Sequence, residues 1–93
     1  MRLNYDTEAD ALDVRIAEGI VARTEEIETG TLVDLDEHGR LLSIEVIRPA
    51  RRWPLELILS RYDVAQSDAE VLRRIHGTPV KFTLEETEPF ALA

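Results

Sequence analysis

Cysteine is absent from the chain, which excludes a disulfide framework, a thiolate metal site and a cysteine nucleophile from the start. Long apolar runs are absent too. No stretch approaches the roughly 20 apolar residues that a membrane span needs. The N-terminus, MRLNYDTEAD, turns acidic without the apolar core of a signal peptide. Together these absences lead us to expect a soluble, cytoplasmic protein. What is present, 93 residues with 44% hydrophobic content, suits one compact core, because two would each bury too little surface to be stable. We therefore expect a single domain over residues 1–93.

Basic residues are scarce in the first half. Residues 1–47 hold four arginines against twelve Asp and Glu, a net of −8, whereas residues 48–93 hold seven basic and seven acidic side chains. A surface that acidic repels phosphate backbones and admits a basic protein partner or a cation, while also serving simply as a solvated face.

Apolar and polar residues alternate with the two-residue period of strands at Leu3 and Tyr5, and again at Leu12, Val14 and Ile16. The short polar TEADA between them reads as a hairpin connection. VARTEEIETG reads as an edge strand whose glutamates guard it against pairing with other chains. TLVDLD, the turn EHG and RLLSIEVI form the clearest hairpin, with Leu42, Ile44 and Val46 facing one way. After Ile47 the connector RPARRWP leaves the sheet, with Pro54 suited to a first helical position. Leu55, Ile58, Leu59 and Tyr62 then recur at helical spacing. Ser67 and Glu70 spell a capping box for a second helix over about Asp68–His76, ended by Gly77. Pro79 blocks continuation, VKFTL suggests a last strand through Val80, Phe82 and Leu84, and the tail with Phe90 is expected to be loose. The fold class is α+β: an antiparallel β-meander of four or five strands, two short helices packed on one face, and a short C-terminal strand.

Two stretches, YDTEADALDVRI at Tyr5–Ile16 and LVDLDEHGRLLSIEVI at Leu32–Ile47, resemble a widespread prokaryotic family of small proteins, domain-of-unknown-function family 2283. Its pattern is a Tyr-Asp-x-Glu-Ala-Asp-Ala-Leu start and a later Asp-x-Asp-x-x-Gly-x-hydrophobic-x-x-Ile-Glu segment. The resemblance covers about residues 1–50, and this chain departs from it at Asp13, where the pattern has an aromatic residue. It implies a small β-rich domain with no established activity, so no catalytic role passes to Tyr5, Asp6, Glu8, Asp10, Asp34, Asp36 or Glu45. It also implies that some members sit beside genes for small toxin-like proteins.

Asp34, Asp36, Gly39 and Glu45 nearly complete the calcium-loop pattern D-x-[DN]-x-[DN]-G-x5-E. Such a loop needs helices on both sides and an oxygen ligand at its fifth position, whereas this chain has β-preferring flanks and His38 there. Asp34, Asp36 and Glu45 therefore remain weak metal candidates, with solvated carboxylates beside a tight turn as the simpler reading. Asp6, Glu8, Asp10 and Asp13 form a second acidic group. Paired carboxylates do acid and base chemistry when one is desolvated, but TEADA is polar throughout, and caps on the turn are the preferred role of Asp6 and Asp10. His38 and His76 lie far apart in sequence, and neither Ser43 nor Ser67 sits in a nucleophile motif. Arg48, Arg51, Arg52 and Trp53 combine cations with an aromatic and form a possible interaction surface. The two helices that follow have the outline of a helix-turn-helix, but Asp68 and Glu70 would set acids against phosphates.

No catalytic residue and no cofactor is expected. The preferred reading is a non-catalytic protein-interaction domain that self-associates, with a dimer favoured, through its sheet edge or helices. It would bind a basic protein, and an antitoxin-like role is one form of this. A carboxylate-based or metal-dependent hydrolase is the first alternative, and a DNA-binding regulator the second.

Overall fold

The computed structural model describes residues 1–76, so the readings at Gly77, Pro79, Val80–Leu84 and Phe90 lie outside the described residues. Five strands come first: β1 (Arg2–Asp6), β2 (Ala11–Arg15), β3 (Arg23–Glu28), β4 (Thr31–Leu35) and β5 (Leu41–Ile47). Two helices follow, α1 (Leu55–Arg61) and α2 (Gln66–Ile75). Every strand pair is antiparallel, and the α+β class is as the patterning indicates. The order across the sheet, β1-β2-β5-β4-β3, departs from sequential neighbours at one place. β5 returns to lie between the two hairpins, so residues 16–22 must cross the end of the sheet to reach β3. Ile16 and Ala17 donate to the Leu42 carbonyl on the way, and Ala22 donates to Leu35. At Gly19 this path runs close against β5: a Cβ there would come within 2.9 Å of a Leu42 methyl, which would have to shift.

Strand alternation sorts the side chains. Leu12, Val14, Val33, Leu35, Ile44 and Val46 face one side and are buried there with Trp53, Leu55, Ile58, Leu72 and Ile75 from the connector and helices. The other side of the sheet carries no layer among the described residues. α1 buries Leu55 and Ile58, with Leu59 and Tyr62 packed at the margin, as its spacing requires.

Two helix starts differ from the sequence reading. Pro54 is the residue before α1 instead of its first helical residue. α2 begins at Gln66, and Ala65 takes the capping position without a side-chain bond, so Ser67 is not the cap. The physical reason is that the Ala65 carbonyl already accepts from the Ala69 N–H at 2.9 Å, which closes a helical turn before Ser67 could do so. Ala69 accordingly joins Leu72 and Ile75 in the buried stripe, and Val71 is only half-buried.

Candidate functional site

The first acidic group folds as a turn. Asp6 accepts from the N–H groups of Glu8 at 3.0 Å and Ala9 at 3.2 Å, the local bonding that favours Asp before a tight loop. Asp10 closes the loop in the left-handed region, φ 51°, a conformation Asp tolerates better than most residues. Its side chain accepts from the Tyr5 hydroxyl at 2.6 Å, which raises the Tyr5 pKa, and its carbonyl accepts from the Arg48 N–H at 2.7 Å. Asp6 is thus the cap the sequence suggested, while the Asp10 carboxylate serves Tyr5.

The calcium-like stretch folds as the β4–β5 hairpin. Gly39 turns the chain at φ 79°, where a side chain would be strained. Asp36, buried, organises the turn: Oδ1 accepts from the N–H groups of His38 and Arg40, and Oδ2 accepts from Arg40 Nε at 2.8 Å. Arg40 is the main cause of a pKa lowered from 3.8 to about 2, its side chain first and its backbone N–H second, against the opposing effect of desolvation. Asp34 lies two residues earlier in the chain and bridges three strands. Thr24 on β3 donates to its Oδ1 at 2.5 Å, and Ser43 on β5 donates to its Oδ2 at 2.8 Å. Asp34 and Asp36 therefore each hold protein donors, and among the described residues no group of three His, Asp or Glu is placed to hold a metal ion.

Because the folded-state pKa of Asp36 is depressed, the folded state binds this proton less readily than the unfolded chain. The stabilisation it gives is present above about pH 3.8 and is lost as pH falls through about 2. Replacing Asp36 by Asn should lower the urea midpoint at neutral pH and flatten its decline across that acid window. Midpoints measured at successive pH values check this, and an unaltered slope would show that Asp36 does not carry the acid sensitivity.

Glu45 sits elsewhere, opposite Asp13 in the β2–β5 register and opposite Leu32 on β4. Asp13 in turn faces Asn4 on β1, and Leu32 faces Glu26 on β3. One row across the face opposite the core therefore reads Asn4, Asp13, Glu45, Leu32, Glu26. Asp13 and Glu45 are like charges directly opposite, a pairing that destabilises a sheet. Neither has an ion pair among the described residues. Which faces these acids occupy was readable from strand alternation. That they are neighbours was not, because the pairing of β2 with β5 sets Asp13 against a residue 32 positions away in the chain.

The basic connector divides in two. Trp53 is 5% exposed, its indole meets the His76 ring edge-on at 4.8 Å, and its carbonyl lies 2.6 Å from His76 Nε2. Arg48, Arg51 and Arg52 are exposed, with Arg48 held left-handed at φ 56°. His38 is on the hairpin turn, so the structure does not bring the two histidines together. On the helices, Arg73 makes a two-bonded contact with Glu56 at 3.0 Å. Tyr62 reaches back to the sheet, donating to Glu25 at 2.8 Å, a bond between residues 37 positions apart that no local pattern announces. Burial and that bond raise its pKa.

The family model described as protein of unknown function (DUF2283) matches residues 2–48, just over half of the chain. The chain belongs to that family. The match ends at Arg48, where the sheet ends, so the connector and both helices lie beyond it. No curated protein and no solved structure matches the chain. For this family member the two motif stretches coincide with the two turns described above. Among the described residues no helix is long and apolar enough to cross a membrane.

Proposed function

We propose that this is a non-catalytic protein-interaction domain, cytoplasmic and self-associating, whose uncovered sheet face receives a basic protein. The observation that carries the reading is the Asp13–Glu45 pair. Two carboxylates directly opposite on adjacent strands oppose folding, and a sequence retains such a conflict where a partner relieves it. Glu26 extends the same row and Asp6 lies on the same face at the end of β1, so a ligand over this part of the face meets carboxylates, while Arg2 and Arg15 face each other in the row toward the other end. Four of the carboxylates that could suggest hydrolysis are tied to turns and strands: Asp6 to two N–H groups, Asp10 to Tyr5, Asp34 to Thr24 and Ser43, and Asp36 to Arg40. Among the described residues no buried side-chain nitrogen or oxygen lacks a partner. An antitoxin-like role, in which this face covers a small basic protein encoded nearby, is a specific form of the proposal.

The variant Asp13→Asn with Glu45→Gln separates the readings. It should raise thermal stability, by about 0.2–1 kcal/mol for the relieved pair, and weaken co-purification with the product of the adjacent gene on co-expression. Undiminished capture of that partner by the double variant would remove the acidic face from the proposal.

A further inference from the structure

The two edges of the sheet are chemically unlike. β3 carries Glu25, Glu26 and Glu28 and is interrupted by a register shift between Glu26 and Glu28, both devices that discourage pairing. β1, Arg2-Leu3-Asn4-Tyr5-Asp6, has no proline and no bulge, and only β2 pairs with it among the described residues. Its sequence is complementary to itself when reversed. Laid antiparallel on a second copy about Asn4, it places Arg2 opposite Asp6 of the other copy, Leu3 opposite Tyr5, and Asn4 opposite Asn4, with each unlike pair formed twice.

The backbone agrees with this register. Ile16 donates to Leu42, and Arg48 donates to Asp10, so Leu12 and Val14, in phase with Asp10 and Ile16, bond toward β5. Antiparallel strands direct alternate residues to alternate sides. Ala11, Asp13 and Arg15 must therefore bond toward β1, to Asp6, Asn4 and Arg2. That leaves the N–H and C=O groups of Leu3 and Tyr5 pointing away from β2, on the side where no strand pairs among the described residues, and these are the two residues that face each other in the self-paired register. Arg2 and Asp6 then fall at the non-hydrogen-bonded positions, where side chains approach most closely. Within its own chain Arg2 faces Arg15 and Asp6 faces Ala11 on the neighbouring strand, and the one opposite charge Arg2 meets is Glu18, in an exposed contact at 3.6 Å that is worth little. Leu3 and Tyr5 are half-buried on the core side, and a neighbouring strand would cover the rest of them.

We infer that β1 is a homodimerisation edge: two copies pair β1 to β1 about Asn4 and form one continuous antiparallel sheet. This deepens the self-association in the reading above and requires no basic partner, so the two can fail separately. A five-residue edge makes a contact below about 1,200 Å² in total, the size class of weak pairs, and the dimer should dissociate in the micromolar range.

The test uses the full chain and its lack of cysteine. In the inferred register the two Asn4 Cα atoms lie about 4.5 Å apart, within the span of roughly 4.4–6.8 Å that a disulfide bridges. Asn4→Cys should therefore cross-link to a covalent dimer under mild oxidation far faster than Glu26→Cys on the opposite edge. In sedimentation over the micromolar range the native chain should pass from monomer to dimer. Arg2→Glu, which sets like charges against Asp6 of the other copy while offering Arg15 an opposite charge in its own chain, should stay folded and monomeric. A native chain that is monomeric throughout overturns the inference, as does cross-linking of Asn4→Cys no faster than Glu26→Cys, or a dimer undisturbed by Arg2→Glu.

Discussion

Ile44→Ala is expected to destabilise the domain by about 2–5 kcal/mol, the usual cost of deleting a fully buried aliphatic side chain and leaving a cavity. Ile44 is 0% exposed and stands at the centre of the sheet, opposite Val14 on β2 and Val33 on β4, both also fully buried. A closely packed wall on both flanks cannot relax into the space, which sets the effect toward the upper end. Since domains of this size hold about 5–15 kcal/mol in all, the variant should lose much of its margin. Urea unfolding at neutral pH would show it as a lower midpoint with an unchanged slope. Ile44→Val, which removes one methylene, should cost only about 0.5–1.5 kcal/mol. Equal effects from the two would mean that the site is not the tight centre the structure shows.

Trp53→Ala is expected to cost about 3–5 kcal/mol, comparable to losing other large buried aromatics. Trp53 belongs to the connector, outside the family match over residues 2–48, yet it lies in the same core cluster as Val14, Val33 and Ile44. Its removal also takes away the edge-on ring contact with His76 at the end of α2, a kind of contact worth about 0.5–1.5 kcal/mol beyond area burial. If the helices complete the sheet's core, sheet and helix amides should lose hydrogen-exchange protection together in this variant. Protected β4 and β5 amides beside unprotected α2 amides would instead make the sheet an independent unit.

The stretch DLDEHGRLLSIE shows how far sequence could go. Leu35, Leu42 and Ile44 keep a strand period through a segment whose carboxylate spacing suits a calcium loop, and the strand period is what the structure follows. Leu42 is nevertheless buried beneath Gly19 and is absent from the main core cluster, because an irregularity after Asp34 places Leu41 opposite Leu35. Alternation alone could not register that slip. The capping box at Ser67 and Glu70 misplaced the start of α2 for a related reason: side-chain capping is one way to begin a helix, and the Ala65 carbonyl supplied another.

Local chemistry, by itself, determined the strands, both turns and the apolar stripe of α1. Those depend on residues within a few positions of one another: Asp6 with Glu8 and Ala9, Asp36 with His38 and Arg40, Gly39 with its own backbone freedom. The family pattern was legible for the same reason, since its motifs describe those turns. Tertiary structure alone decided that β5 inserts between β2 and β4. That insertion placed Glu45 against Asp13, tied Asp34 to Ser43 and left β1 paired with β2 alone among the described residues. Closing a loop between distant segments is governed by which apolar faces can be buried together. No residue near Asp13 in sequence specifies that its neighbour will be Glu45.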